Sequence, residues 1–179
     1  MKQALASGLP QLERKLTDAQ LDTFCAFGSA LVEKNQVMNL TAITEPEQVA
    51  RLHFLDCIAL LGAANFYGKS VIDVGCGAGF PGVPLKIAEP SIALTLLDSL
   101  KKRMDWLEAT LPELGVAAQC AAARAEEYAL EHREQYDIAV SRAVARLTML
   151  SELCLPLVRV GGHFVAMKSA DSDEELSQA

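Results

Sequence analysis

The sequence predicts an α/β fold built on a parallel sheet, and three observations carry that expectation. From Ser70 onward, short apolar runs alternate with helical stretches, the pattern of stacked βαβ units. The first run, Val71-Ile72-Asp73-Val74, leads straight into Gly75-Cys76-Gly77-Ala78-Gly79-Phe80-Pro81-Gly82. The second ends in an acid, Asp98, 23 positions after Gly75. A chain of 179 residues that is 51% hydrophobic and 22% charged has apolar material for one packed core, which excludes a disordered segment, a coiled coil or a collagen-like repeat.

Taken in order, the first third reads as helical. Thr17 is followed three residues later by Gln20, a capping-box pair, and Leu21, Phe24, Cys25, Leu31 and Val32 then share one 3.6-period face. That helix is expected to end between Asn35 and Asn39. Thr44 and Glu47 repeat the capping pattern with Pro46 in the first turn, and Val49, Leu52, Leu55, Ile58 and Leu61 form the next amphipathic face. Residues 65–69 read as a loop. Five buried strands are expected at 70–74, 92–97, 116–121, 136–141 and 163–168. Helices are expected at 82–88, 100–114, 125–131 and 147–158, with Pro90, Gly115 and the pair Gly161-Gly162 where helices stop. The chain thus divides into a helical N-terminal cap at 1–69, an α/β core at 70–169 and an acidic tail at 170–179, all one structural unit.

Sixteen Lys and Arg against 23 Asp and Glu leave a net charge of −7, which argues against a surface generally coated for polyanions. A local basic site remains compatible, because Asp171, Asp173, Glu174 and Glu175 concentrate part of the acidity in the tail. Cys25, Cys57, Cys76, Cys120 and Cys154 are too widely spaced for a zinc or redox pair and read as reduced thiols. No stretch approaches the roughly 20 apolar residues of a membrane helix, and no apolar run follows Lys2 as a signal peptide requires. A cytoplasmic protein with no membrane partner is expected.

Glycines without a Cβ let a ligand approach the backbone, and in open α/β sheets ligands bind beyond the carboxyl ends of the strands. The stretch from Gly75 to Gly82 and Asp98 should therefore line one crevice, with Asp98 accepting from both hydroxyls of a ribose. Gly77 to Gly82 formally satisfies GxGxxG, so a nicotinamide-dependent oxidoreductase is one reading. Against it, the acid at Asp73 suits a cofactor bearing an ammonium better than a pyrophosphate. Only about 110 residues remain from Ser70, little room for a hydride-acceptor domain. S-adenosyl-L-methionine, with an amino-acid head, a sulfonium and an adenosine but no phosphate, fits better, with contacts expected at Asp73, Gly75, Gly77, Gly79 and Asp98. A non-catalytic scaffold that keeps the pocket is a further alternative. Cys76 reads as a small filler in the loop.

Further blocks are more specific. Asn39-Leu40-Thr41-Ala42-Ile43-Thr44, His53-Phe54-Leu55-Asp56, Leu97-Asp98-Ser99, Lys102-Arg103, Arg124-Ala125-Glu126-Glu127, Ser141-Arg142-Ala143 and Ala166-Met167-Lys168 appear in one order around the Phe-Pro-Gly loop end. Together they closely resemble the RsmG family, also called GidB. The resemblance implies a class I, Rossmann-like, S-adenosyl-L-methionine-dependent methyltransferase of bacterial small-subunit ribosomal RNA. Its implied product is 7-methylguanosine, at guanosine 527 of 16S rRNA in the family's usual substrate. It also implies cofactor contacts at Gly75, Phe80, Ala125, Glu126 and Arg142. Ala125 and Glu126, just after the third strand, would meet the adenine edge, and Phe80 would offer apolar surface. Arg142, ending the fourth strand, could face the cofactor carboxylate, the guanine O6 or an RNA phosphate. Family members continue past Ala166-Met167-Lys168 through a helix and two strands, whereas this chain ends in SADSDEELSQA. The last two strands are therefore expected to be missing, leaving the fifth as an edge.

Guanine N7 carries a lone pair and no proton, so no general base is expected. The groups that remain are substrate-positioning candidates: Arg142, Lys168, Asn39 and His53. Lys101, Lys102, Arg103 and Arg146 would form a basic lip for RNA on the same rim, although the run at 101–103 could equally be a solvated helix face. Asn39 could instead only cap its helix, and His53 could be a buried, hydrogen-bonded histidine. The expected partner is 16S rRNA or the small ribosomal subunit, approached by a monomer.

Overall fold

A computed structural model describes residues 1–142 and 145–168; Ala143 of the Ser-Arg-Ala block and the acidic tail at 170–179 lie outside the described residues. Strands β1 (Ser70–Val74), β2 (Ala93–Asp98), β3 (Ala118–Ala122), β4 (Tyr136–Arg142) and β5 (Val158–Met167) form one sheet in the order β3-β2-β1-β4-β5. Every pairing is parallel. Successive side chains point to opposite faces, and the apolar clusters follow that alternation. Val71, Ile138 and Val140 enter one core, while Ile72, Val74 and Ala139 enter the other. Both faces are therefore covered, as a parallel sheet requires.

One face is covered by α1 (Lys2–Gly8), α2 (Asp18–Met38), α3 (Pro46–Gln48), a π-helical segment (Val49–Leu55), α4 (Asp56–Ala59), α5 (Gly82–Ala88) and α6 (Lys101–Glu113). The other carries α7 (Ala125–Glu131) and α8 (Leu147–Cys154). Phe27 and Phe54 of the N-terminal helices meet Phe80 and Trp106 with ring centroids 5.7 to 6.5 Å apart, and Phe24 backs Phe54 at 5.0 Å, so the helices before the sheet share their core with it. The capping box forms as read: Gln20 N donates to Thr17 Oγ1 at 3.2 Å and Thr17 N to Gln20 Oε1 at 2.9 Å. Gln20 also donates through Nε2 to the carbonyls of Ile87 and Ala88, tying the start of α2 to the end of α5. Asn39 ends α2 in the left-handed region at φ 48°.

Three expectations need correction. First, α3 is capped by Glu45, whose carboxylate accepts from Gln48 N at 2.8 Å, rather than by Thr44, because Pro46 takes the first helical position. The face that follows buries Val49, Ala50, His53, Phe54, Cys57 and Ile58, while Leu52 is 54% exposed. The wider i→i+5 turn of the π segment stretches the buried repeat to about four residues, which a 3.6-residue template misplaces. Second, β5 starts at Val158, inside the helix expected at 147–158, which ends at Cys154. Gly161-Gly162 lie within β5 beside an irregularity in its pairing with β4, and a Cβ on Gly162 would sit 2.5 Å from the Asp137 carbonyl. The pair marks a close backbone approach rather than a helix stop. Third, the helical cap begins earlier than the first helix placed from the capping box at Thr17: α1 precedes it and buries Leu5. Among the described residues β5 is an edge of the sheet, and no helix is long and apolar enough to cross a membrane.

Candidate functional site

The chain order of the sheet reverses at β1, which has β2 on one side and β4 on the other, and a crevice opens there beyond the strand ends. The glycine-rich turn forms its floor. Gly79, at φ 92°, and Gly82 are packing glycines: a Cβ would lie 2.6 Å from Val83 Cγ2 in the first case and 2.9 Å from Asp73 Oδ2 in the second. Gly77, at φ 56°, faces open space, with only Arg103 Nη1 near at 3.9 Å.

Nearly every N–H of this turn is consumed internally. Gly75 and Cys76 donate to the Leu97 carbonyl at 2.8 and 3.1 Å, and Gly79 and Phe80 to the Cys76 carbonyl at 2.8 and 2.9 Å. Gly77 donates to Asp98 Oδ2 at 2.9 Å, Gly82 to Asp73 Oδ2 at 2.7 Å and Val83 to the Gly79 carbonyl at 2.8 Å.

The two acids differ. Asp73 is fully buried and does not line the crevice; it fastens the turn to the sheet from below. Burial pushes its carboxyl up to about 7, opposed by the Gly82 N–H and by the charge of Arg142. Its Oδ1 has no hydrogen-bond partner among the described residues. The structure thus places Asp73, expected to meet a ligand ammonium, beneath the crevice rather than in its lining. Asp98 lines the crevice, its Oδ1 accepting from Leu100 N at 2.8 Å and its Oδ2 from Gly77 N, with Arg103 Nη1 3.7 Å away. A carboxylate offers about four acceptor sites, so acceptor capacity remains for a ligand.

The crevice encloses about 480 Å³ and brings together Gly75, Gly77, Phe80, Asp98, Ala125, Glu126 and Arg142, with His53 entering from the π segment. The His53 ring stacks on Phe80 at 4.8 Å, and the Arg142 guanidinium lies 4.6 Å over the same Phe80 ring. Arg142 Nη1 is 3.2 Å from His53 Nδ1, and His53 Nε2 is 2.9 Å from Thr41 Oγ1. Burial first, and then the Arg142 charge, hold the imidazole down to about 4, so it is neutral at pH 7. Burial raises the thiols of Cys57 and Cys76, and neither is poised as a nucleophile.

Other expected residues fall elsewhere. Asn39 is exposed at the end of α2 and outside the crevice lining; the side chain that orders this turn is Asn35, whose Oδ1 accepts from Leu40 and Thr41 N at 2.6 and 2.8 Å. Gly79 is packed beneath the loop and does not line the crevice. Lys101 is exposed and pairs with Asp105, Lys102 is exposed, and Arg103 turns into the crevice. Arg146 is exposed at the start of α8, whereas Lys168 donates to the Ala145 carbonyl at 2.9 Å and lines a neighbouring cavity with Arg142 and Asp56. Thr41 and Arg124 also line the crevice. Their position after a helix end and a strand end was readable, but nothing in the pattern aimed them inward.

Residues 20–179 match the GidB family, described as rRNA small subunit methyltransferase G. The chain is 44% identical to the ribosomal RNA small subunit methyltransferase G of Clostridium botulinum, over 98% of this chain and 75% of the relative. It is 51% identical to the protein of the same name from Halalkalibacterium halodurans, over 92% and 71%. A Methanococcus maripaludis protein assigned as an S-adenosyl-L-methionine-dependent methyltransferase superposes with a TM-score of 0.56 at 12% identity, over 84% of this chain and 68% of that one. A Thiobacillus denitrificans methyltransferase, solved with S-adenosyl-L-homocysteine, gives 0.52 at 19% identity, over 62% and 46%. At these identities the likeness is one of fold, the class I Rossmann-like methyltransferase sheet.

Proposed function

Because the chain belongs to the GidB family of small-subunit ribosomal RNA methyltransferases, we propose that it uses S-adenosyl-L-methionine to methylate N7 of a guanine in 16S rRNA. The observation that carries the cofactor assignment is the spent glycine turn. A dinucleotide site needs free backbone N–H groups to cradle a pyrophosphate, and here those of Gly75, Cys76, Gly77, Gly79, Phe80 and Gly82 are already bonded within the protein. What the turn presents instead is the Asp98 carboxylate beside an unobstructed Gly77, suited to a ribose without phosphates.

When bound, the cofactor supplies an electrophilic methyl group on a sulfonium. In this reading Asp98 accepts from the ribose hydroxyls, Ala125 and Glu126 flank the adenine, and Gly75 and Phe80 border the methionine portion. Since N7 presents a lone pair and no proton, the protein needs no base. Its task is to hold nucleophile, methyl carbon and sulfur in line at roughly 3 to 3.5 Å. Positive charge develops on the guanine ring, so a cation directed at N7 would oppose the transfer. Arg142, held against Phe80 and His53, is read as meeting O6 or a phosphate. Lys101, Lys102 and Arg146, exposed outside the crevice, and Lys168 in the neighbouring cavity would take further phosphates, and the protein would act as a monomer on ribosomal particles in the cytoplasm, with its helical cap at 1–69 working as one unit with the core at 70–169.

The test is methyl transfer from labelled S-adenosyl-L-methionine to small subunits and to naked 16S rRNA that lack the modification. Digestion and mass spectrometry should return 7-methylguanosine, and chemical cleavage at that base should map it to guanosine 527. Calorimetry with S-adenosyl-L-homocysteine and NAD accompanies it. Binding of NAD alone would turn the assignment to an oxidoreductase; binding of the homocysteine compound without transfer would indicate a scaffold.

A further inference from the structure

We propose that Arg142, His53 and Thr41 form a directional hydrogen-bond chain that leaves the Thr41 hydroxyl as a fixed donor to a carbonyl or carboxylate oxygen bound in the crevice. The chain itself follows from donor and acceptor accounting; only the identity of the ligand rests on the methyltransferase reading above. A guanidinium can donate but never accept. With Arg142 Nη1 3.2 Å from His53 Nδ1, that nitrogen must offer its lone pair. The imidazole proton then resides on Nε2, which donates to Thr41 Oγ1 at 2.9 Å. The Ile43 backbone N–H donates to the same oxygen at 3.0 Å. A hydroxyl has two lone pairs and one proton, so both acceptor positions of Thr41 are filled and its proton has to go outward. Among the described residues no other hydrogen bond engages Oγ1, and Thr41 is a half-buried residue of the crevice lining.

The surroundings fix the direction of the chain. Stacking on Phe80 sets the plane of the His53 ring, and the same Phe80 holds the guanidinium. Asn35 pins the backbone N–H groups of Leu40 and Thr41, so the turn carrying the hydroxyl is held in place. The imidazole stays neutral at physiological pH because of its burial and the neighbouring guanidinium, so Nδ1 remains an acceptor.

Two oxygens of the proposed complex match this donor: O6 of the target guanine and the carboxylate of the cofactor's amino-acid head. If O6 is the partner, Thr41 also contributes specificity. Adenine carries an amino group at that position, and two donors facing each other in a buried site leave both unpaired.

Thr41→Val keeps the shape and removes the hydroxyl, and Thr41→Ser restores it; both are made in the full chain. Affinity for S-adenosyl-L-homocysteine is read by calorimetry, and kcat/KM is read on unmodified small subunits. If O6 is the partner, Thr41→Val lowers kcat/KM roughly tenfold with affinity for the homocysteine compound unchanged. If the carboxylate is the partner, that affinity itself falls roughly tenfold. Thr41→Ser recovers most of either loss. A valine variant equal to wild type in both readouts, or a serine variant that recovers nothing, overturns the proposal. Nitrogen-15 NMR of the imidazole supplies a readout independent of activity: at pH 7 His53 should be neutral with its proton on Nε2, and an Nδ1–H tautomer or an imidazolium would overturn the direction of the chain. Should wild type neither bind the homocysteine compound nor transfer a methyl group, the functional reading fails while the NMR arm still decides on the hydrogen-bond chain.

Discussion

Asp98 faces the crevice while accepting two backbone N–H groups, so its removal acts twice. Asp98→Ala should weaken S-adenosyl-L-homocysteine binding by about 2 to 3 kcal/mol and lower stability by about 1 kcal/mol, read by calorimetry and urea unfolding; unchanged affinity would remove Asp98 from the site. The buried titratable residues predict opposite pH responses. Asp73 keeps its proton in the native state up to about 7 but loses it near 3.8 when unfolded, so its contribution to stability falls as pH rises through that window. His53 is protonated near 6.5 when unfolded but only near 4 when native, so its contribution is lost as pH falls from 6.5 to 4. In unfolding titrations Asp73→Asn should therefore gain on wild type as pH rises from 4 to 7, and His53→Gln should gain as pH falls from 6.5 to 4. Slopes of the reverse sign would show that burial does not control these groups. Asp98 was legible from sequence because a strand-end acid at that distance from a glycine turn has few structural uses. The part played by Thr41 was not, since it depends on which nitrogen of a distant histidine carries a proton.

Among the elements, the glycine turn separates packing from access. Gly82→Ala would press a methyl against Asp73 and Leu96, at 2.9 Å from each, and should destabilise the protein by about 1 to 3 kcal/mol. Gly77→Ala meets no such wall; its positive φ should cost about 1 to 2 kcal/mol, while the methyl intrudes where a ligand would lie. Both variants should lose stability on unfolding, whereas calorimetry should show the larger loss of ligand affinity for Gly77→Ala. Strand and helix order were legible because each periodic run was long enough to show its phase. The π segment was not, because its repeat matches neither template, and the early start of β5 was masked by a glycine pair that reads as a stop unless the Asp137 carbonyl beside it is known.

For the molecule as a whole, the aromatic cluster joining Phe24, Phe27 and Phe54 to Phe80 and Trp106 packs the N-terminal helices against the sheet, and the two are expected to unfold as one body. Heating should give a single transition, and Phe54→Ala should shift all of it, with a loss of about 3 to 5 kcal/mol. Two transitions would mean that the helices fold apart from the sheet. The alternation of elements made the α/β class readable, whereas the strand order, and with it the place where the crevice opens, depends on long-range pairing that local pattern does not encode.

The inward-turned N–H groups between Gly75 and Val83 have a further result. Because those N–H groups are bonded within the protein, their hydrogens should exchange slowly whether or not the crevice is filled. Free phosphate in the medium, finding most backbone donors of this turn already bonded, should compete poorly for the crevice.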